Sequence, residues 1–254
     1  VTDSELISEV NGRGYAVISA PVPTDDPFEA HRRVAERLGL PDAYTPLLYR
    51  DAEVRAAVGQ AGPYNQIPRD AASVQPWSET PAQHFHVDGL LEPLGGIKTT
   101  ILHCLTQAHS GGGTELFFSC DAFTDLSAAH EAAAQSLLHP EALTRFATIS
   151  EAAPTRLRAT GPAFGWVDGT LLTRFSDGPT ETWNTAENPA LQKALDYLRG
   201  PALENHRVQI RLEPGDMLIF RNDRVSHRGL GHQNGSQPRR LTRSMYSSAP
   251  TSRR

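Results

Sequence analysis

The chain has 254 residues, with 29 acidic and 24 basic side chains and a formal charge of −5. No basic run precedes the last few residues, so a nucleic-acid groove is not expected. Hydrophobic residues make up 39% of the chain, with 20 glycines and 19 prolines, a balance that favours a loop-rich globular protein over a helical bundle.

All-β barrels and sandwiches of this length are commonly one domain, so residues 1–254 are expected to form one, with a polar tail over about 249–254. Cys104 and Cys120 form no CxxC pair, and neither a charged-then-apolar leader nor a long apolar span is visible. Two buried thiols in a reducing cytoplasm are expected, without membrane contact. The partner implied is a small molecule, and a homo-oligomer is left open.

Thr2 and Glu5 stand at capping-box spacing, which predicts a helix ending near Asn11–Gly12 and a strand over Tyr15–Ser19. A second helix is expected from Pro27 to Gly39. Beyond the breaker-rich segment that ends at Pro81, the runs HFHVDG, IKTTILHCL and TELFFSC read as core strands. Alanines, with leucines at helical spacing, predict helices from Ser119 to about Phe146. GTLLTRFS returns to strand, and Asn188 followed by Pro189 starts a helix that stops at Gly200. HRVQIRLEPGDMLIF is expected to hold two strands joined by an EPGD turn, and RRLTRSMYSS a last strand. Strands flanking a helical insertion over about 119–200 suit an α+β, mainly β protein with a double-sheet jelly roll core.

His86 and Asp88 are two residues apart, so in an extended strand they share a face about 6.6–7 Å apart. An imidazole and a carboxylate suit Fe(II), Mn(II) or Zn(II), and a second imidazole completes a face that leaves positions open for substrate and O2. His227, after the strand GDMLIF, is the candidate. Its sequence distance is no obstacle, because loop closure costs only about 0.6 kcal/mol per doubling of length. Thr114 in SGGGTELF is placed to donate to an anion from a neighbouring strand. Arg239, Arg240 and Arg243 follow His227 beside Leu241 and Met245, and a guanidinium partly buried there needs an anionic partner.

The ordered set HVD at 86–88, GGGTELF with Thr114, PGDMLIFRNDRVSHRG with His227 and PRRLTRS with Arg240 resembles the Fe(II)/2-oxoglutarate dioxygenases of the taurine dioxygenase and clavaminate synthase type, over about residues 84–246. The resemblance implies a double-stranded β-helix and Fe(II) held by His86, Asp88 and His227. It also implies 2-oxoglutarate chelating the iron, with its distal carboxylate at Thr114 and Arg240. The implied reaction consumes O2, converts 2-oxoglutarate to succinate and CO2, and hydroxylates an unactivated C–H of a small polar substrate such as an amino acid or related carboxylate. Desaturation, cyclisation and epoxidation use the same apparatus, and Asp88 argues against a halogenating relative, which needs a small residue there.

In a regular strand Arg239 and Arg243 lie opposite Arg240, so solvated roles are expected for both. The family's second arginine falls four positions after the first, where this chain has Ser244. That leaves Ser244, Arg174, Asn65 and Gln66 as substrate candidates, the last two with Trp77 in a lid-like loop. His84 is expected to stand behind the metal ligands or simply to pack, His103 to be a satisfied core histidine, and Asp223 and Arg224 to pair with each other or with the backbone. Two other readings exist. HFHVDG also resembles the zinc signature HxHxDH of metallo-β-lactamases, but Gly89 replaces the final histidine; a jelly-roll protein that holds metal without turnover is the other alternative.

Overall fold

The capping box forms as the sequence predicts: the Thr2 hydroxyl accepts from the Glu5 amide, and the Glu5 carboxylate accepts from the Thr2 amide. Helix α1 (Asp3–Arg13) therefore begins with its first donors satisfied. Strand β1 (Tyr15–Ser19) and helix α2 (Glu29–Arg37) follow. A short 3-10 turn, Leu47–Arg50, precedes β2 (Tyr64–Ile67), β3 (Thr99–Thr106), β4 (Ser110–Gly111) and β5 (Thr114–Phe117). The computed structural model describes residues 1–20, 26–52, 54–55, 62–67, 82–147, 157–186, 188–235 and 237–252.

The region expected to be a helical insertion is mixed. It opens with α3 (Ser119–Ala129) and α4 (Glu131–Ser136), but Leu143–Phe146 is a strand, β6, rather than the end of a helix. Strands β7 (Arg158–Gly161), β8 (Phe164–Val167), β9 (Thr170–Thr173) and β10 (Glu181–Trp183) come next. Then α5 (Pro189–Arg199) starts where Asn188 Oδ1 accepts from the Leu191 amide, and α6 (Pro201–Asn205) follows. The chain returns through β11 (Arg207–Ile210), β12 (Asp216–Phe220), β13 (Ser226–Gly229), β14 (His232–Gln233) and β15 (Arg240–Tyr246).

A five-stranded antiparallel sheet runs β1-β12-β3-β15-β2, and a smaller one runs β11-β5-β13. Residues around the metal motif extend the smaller sheet through single bridges, His86 to His227 and Phe85 to Asp177, so HFHVDG is not a full strand. Strands β11 and β12 are not a hairpin: β11 pairs β5, whereas β12 pairs β1 and β3. The EPGD turn thus carries the chain from one sheet to the other.

Leu102, Cys104, Leu218, Phe220 and Leu241 of the large sheet meet Leu116 of the small one in an apolar layer. The outer face of the large sheet is covered by α1 and α2, with Leu6, Val10, Val34 and Leu38 packed on Ile101, Met217 and Ile219. Helices α3 to α6 bury Phe123, Leu126, Leu195, Leu198 and Ala202 against Phe117 and Phe164. With both sheets backed by helices, the space between them is left for polar residues that need shelter from water. Among the described residues no helix is long and apolar enough to cross a membrane.

Candidate metal centre

Side-chain alternation aims the site. His227 stands opposite Leu116 in the β13–β5 register, so it shares the inward face of Leu116, and Thr114, two residues earlier, shares it too. The backbones of His86 and His227 exchange both hydrogen bonds, 2.9 and 2.8 Å, and their ring centroids lie 4.4 Å apart. After His86 the chain turns at Gly89, whose φ of +89° suits glycine, and this turn swings Asp88 inward. The donor atoms of His86, Asp88 and His227 then all lie within 4.8 Å of one another. The 3.9 Å from His227 Nε2 to Asp88 Oδ2 is a span that one ion bonded at about 2.0–2.2 Å to each can bridge.

The charge states suit a divalent ion. Burial holds His227 at about 3, helped by His86, and burial also lowers His86, so both imidazoles keep a free lone pair. His86 Nδ1 donates to the carbonyl of His84 at 2.9 Å, which fixes the tautomer that presents Nε2. His84 therefore serves through its backbone, while its side chain is exposed. Burial alone would raise the Asp88 carboxyl, but Arg243, then His227, His86 and a hydrogen bond from Thr100 bring it to about 2. Asp88 is an anion at any physiological pH.

Residues that the motif did not announce set the pose of Asp88. Asn222 accepts from the Asp88 amide at 2.7 Å and donates to the carbonyls of Asp88 and Ile97 at 3.2 and 3.0 Å. Thr100 donates to Oδ2 at 2.8 Å, and Arg243 Nη1 to Oδ1 at 2.5 Å. Arg145 donates to the carbonyls of Val87 and Gly89, one on each side of the ligand. Only Asn222, inside the quoted FRND stretch, had a sequence signal to offer: an amide five positions before the second histidine.

The three arginines near the C-terminus separate by burial. Arg240 is exposed and donates to Gln66 at 2.9 Å, while Arg239 and Arg243 are 7% and 5% exposed. Along β15 the side chains of 241, 243 and 245 face the site, while 242 and 244 face α2, where His31 bridges Thr242 and Ser244 at 2.8 and 2.7 Å. Arg240 stands at an irregularity in the β15–β3 register and is exposed, whereas Arg239, just before the strand, is buried beside Gly112. Arg239 and Arg243 are thus both buried, and neither is solvated as the sequence suggests. Gly112 makes room for Arg239, whose Cδ would lie 3.1 Å from a Cβ there. Burial lowers the Arg239 pKa, its Nε has no hydrogen-bond partner, and among the described residues no carboxylate lies within ion-pair distance.

The remaining candidates separate by face. Asn65 pairs with Arg243 across β2 and β15 and is 1% exposed, on the inner face; Gln66 pairs with Thr242, on the outer one. Ser244 is spent on His31, away from the metal ligands. Arg174 is buried against β7. His103 is buried edge-on to His31, centroids 6.0 Å apart. Asp223 pairs with Arg221 at 2.9 Å rather than with Arg224, which donates to the Asn11 carbonyl. Trp77 lies outside the described residues.

Residues 2–245 match the family described as "Taurine catabolism dioxygenase TauD, TfdA family". A uridine-5'-phosphate dioxygenase of Amycolatopsis sp is 40% identical over 97% of this chain and 90% of its own length. One of Streptomyces sp is 36% identical over 93% and 86%. Among solved structures, asparagine oxygenase with Fe(II), 2S,3S-3-hydroxyasparagine and succinate superposes with a TM-score of 0.67 at 16% identity, over 96% of this chain and 78% of that one. The non-heme iron oxygenase OrfP with Fe and alpha-ketoglutaric acid gives 0.67 at 16%, over 96% and 79%. The chain belongs to the TauD, TfdA family of Fe(II)- and 2-oxoglutarate-dependent dioxygenases.

Proposed function

We propose that this dioxygenase oxidises an unactivated C–H of a nucleoside 5'-monophosphate, with uridine as the base. The observation that carries the chemistry is the convergence of His86, Asp88 and His227 on the inner face between the two sheets. What carries the substrate is the kinship, over nearly the whole length of both partners, with two uridine-5'-phosphate dioxygenases. Among small polar substrates, this kinship favours a nucleotide rather than an amino acid or related carboxylate.

We read the two sheets as the double-stranded β-helix of the family and residues 1–254 as one domain. His86 and His227 would hold the iron through neutral imidazoles, and Asp88 would supply the charge that retains a ferrous ion. When bound, Fe(II) and 2-oxoglutarate supply O2 activation coupled to decarboxylation to succinate. Thr114 and Arg239 would receive the distal carboxylate, the hydroxyl by donation and the guanidinium as counter-charge; Arg239 replaces Arg240 because it is the buried one with no acidic partner. Arg243 keeps Asp88 ionised and, with Asn222 and Arg145, fixes its direction. The apolar layer of Leu102, Leu116 and Leu218 excludes water from this space.

The test is succinate release under O2 with ferrous iron in the presence of UMP, uridine, CMP, and a panel of amino acids. UMP-dependent succinate formation supports the reading. Release driven only by an amino acid would replace the substrate but leave the chemistry. A metal-binding protein without turnover, the other reading, would give neither.

A further inference from the structure

Five arginines are buried among the described residues: 145, 174, 221, 239 and 243. Three face a carboxylate: Arg145 with Glu181 at 3.9 Å, Arg221 with Asp223 at 2.9 Å and Arg243 with Asp88 at 2.5 Å. Arg239 is accounted for by 2-oxoglutarate. Arg174 remains, 6% exposed, and among the described residues its Nη2 donates only to the carbonyl of Ala159, at 3.1 Å. A buried guanidinium without a counter-anion costs several kcal/mol unless a ligand supplies the charge.

Its surroundings leave other donors unpaired in the same way. In the sheet β10-β6-β7, Glu181, Arg145 and Ala159 form one register row, and Trp183, Leu143 and Gly161 the row two residues on, so all six point to one face. Arg174 lies flat on that face: a Cβ on Gly161 would come within 2.6 Å of its Nη1. Three buried N–H donors there have no hydrogen-bond partner, Nε of Arg145, Nε of Arg174 and the indole Nε1 of Trp183. Unpaired buried donors are rare, and three on one face mark a missing acceptor. Among the described residues Glu181, Glu92 and Asp88 all act on Arg145, so Arg174 is the cation of this face that has no carboxylate of its own. Burial and the neighbouring Arg145 lower the Arg174 pKa only to about 10, so it stays charged at neutral pH.

The face adjoins the metal loop. Arg145 reaches from it to the carbonyls flanking Asp88, and three residues after Arg174, Asp177 bridges to Phe85, next to His86. We propose that Arg174, backed by Arg145 and the Trp183 indole, binds the phosphate monoester of the substrate, a step that rests on the nucleotide reading above.

The experiment compares UMP with uridine in steady-state succinate release by wild type, Arg174→Gln and Gly161→Ala, with melting curves to confirm folding. Charge-assisted hydrogen bonds contribute about 1.5–3 kcal/mol, so Arg174→Gln should raise the KM for UMP about 10–100-fold and leave that for uridine unchanged. Gly161→Ala keeps the charge but displaces the guanidinium, so it should raise the same KM by less; it carries the test if Arg174→Gln does not fold. An unchanged KM for UMP in a folded Arg174→Gln, or in Gly161→Ala where that variant stands in, overturns the assignment while leaving the nucleotide reading intact. If the wild type does not turn over UMP, the nucleotide reading fails, and the face is tested with inorganic phosphate alone. Thermal stabilisation of wild type that either variant loses then supports an anion site, and equal shifts refute it.

Discussion

Arg243 Nη1 donates to Asp88 Oδ1 at 2.5 Å, with the two side chains 6% and 4% exposed, so the metal-binding carboxylate has its counter-charge in place between the sheets. Removing that counter-charge strands a buried anion. Arg243→Met should destabilise the metal-free protein by about 3–5 kcal/mol in urea melts. Adding Asp88→Asn should recover part of the loss, because the neutral amide no longer needs the guanidinium. A single variant within about 0.5 kcal/mol of wild type would show that the pair carries no such weight.

The two neighbouring arginines should behave oppositely. Arg239→Ala is expected to raise the KM for 2-oxoglutarate about 10–100-fold by removing a charge-assisted partner. Arg240→Ala, exposed and bonded to Gln66, should change that KM less than about twofold and stability by no more than about 0.5 kcal/mol. The reverse ranking would restore Arg240.

That ranking also shows where the sequence became unreadable. The triad was legible because an HxD spacing, a glycine and a histidine after an apolar strand each constrain geometry. The choice among three arginines was not, because β15 is buried on both faces: Thr242, Arg243, Ser244 and Met245 are 0%, 5%, 0% and 1% exposed. No alternation of polar and apolar residues tells the inner face from the outer one when α2 covers the latter with a histidine. Leu241 and Met245 share the parity of Arg239 and Arg243, and that was the available clue. Strands β6, β7, β8 and β10 went unseen for another reason: three or four residues each, they are too short to show periodicity beside alanine-rich helices. The EPGD turn was found but its partners were not, since a turn does not say which sheet follows it.

Asn222 holds the Asp88 backbone through two hydrogen bonds and the Ile97 carbonyl through a third, yet its own side chain is not a metal ligand. Asn222→Ala should lower Fe(II) affinity about 10–100-fold, the usual cost of removing support behind a ligand. Anaerobic Fe(II) titration reads this directly. Asn222→Asp would keep the acceptor for the Asp88 amide but lose the two donated bonds, so it should recover only part of the affinity; full recovery would show that the donated bonds contribute nothing.

Acid stability should carry the mark of His31. It is fully buried between Thr242 and Ser244, and burial, with His103 and Arg32 adding, lowers its pKa from 6.5 to about 3. The unfolded chain takes up this proton below about 6.5 and the folded one does not until about 3. Its contribution is therefore complete above the unfolded pKa and is lost progressively as pH falls through that window, by up to about 1.4 kcal/mol per unit. His31→Gln should lower stability at pH 7 but flatten the slope between pH 6 and pH 4 in urea melts. Parallel slopes would mean that His31 titrates normally.

The most direct check on the account is anaerobic Fe(II) titration of wild type, His86→Ala and His227→Ala, all confirmed folded by circular dichroism. One ion per wild-type chain, with loss of tight binding in both variants, is the expected result. Tight one-to-one binding retained by either variant would contradict a centre built on these two histidines and Asp88.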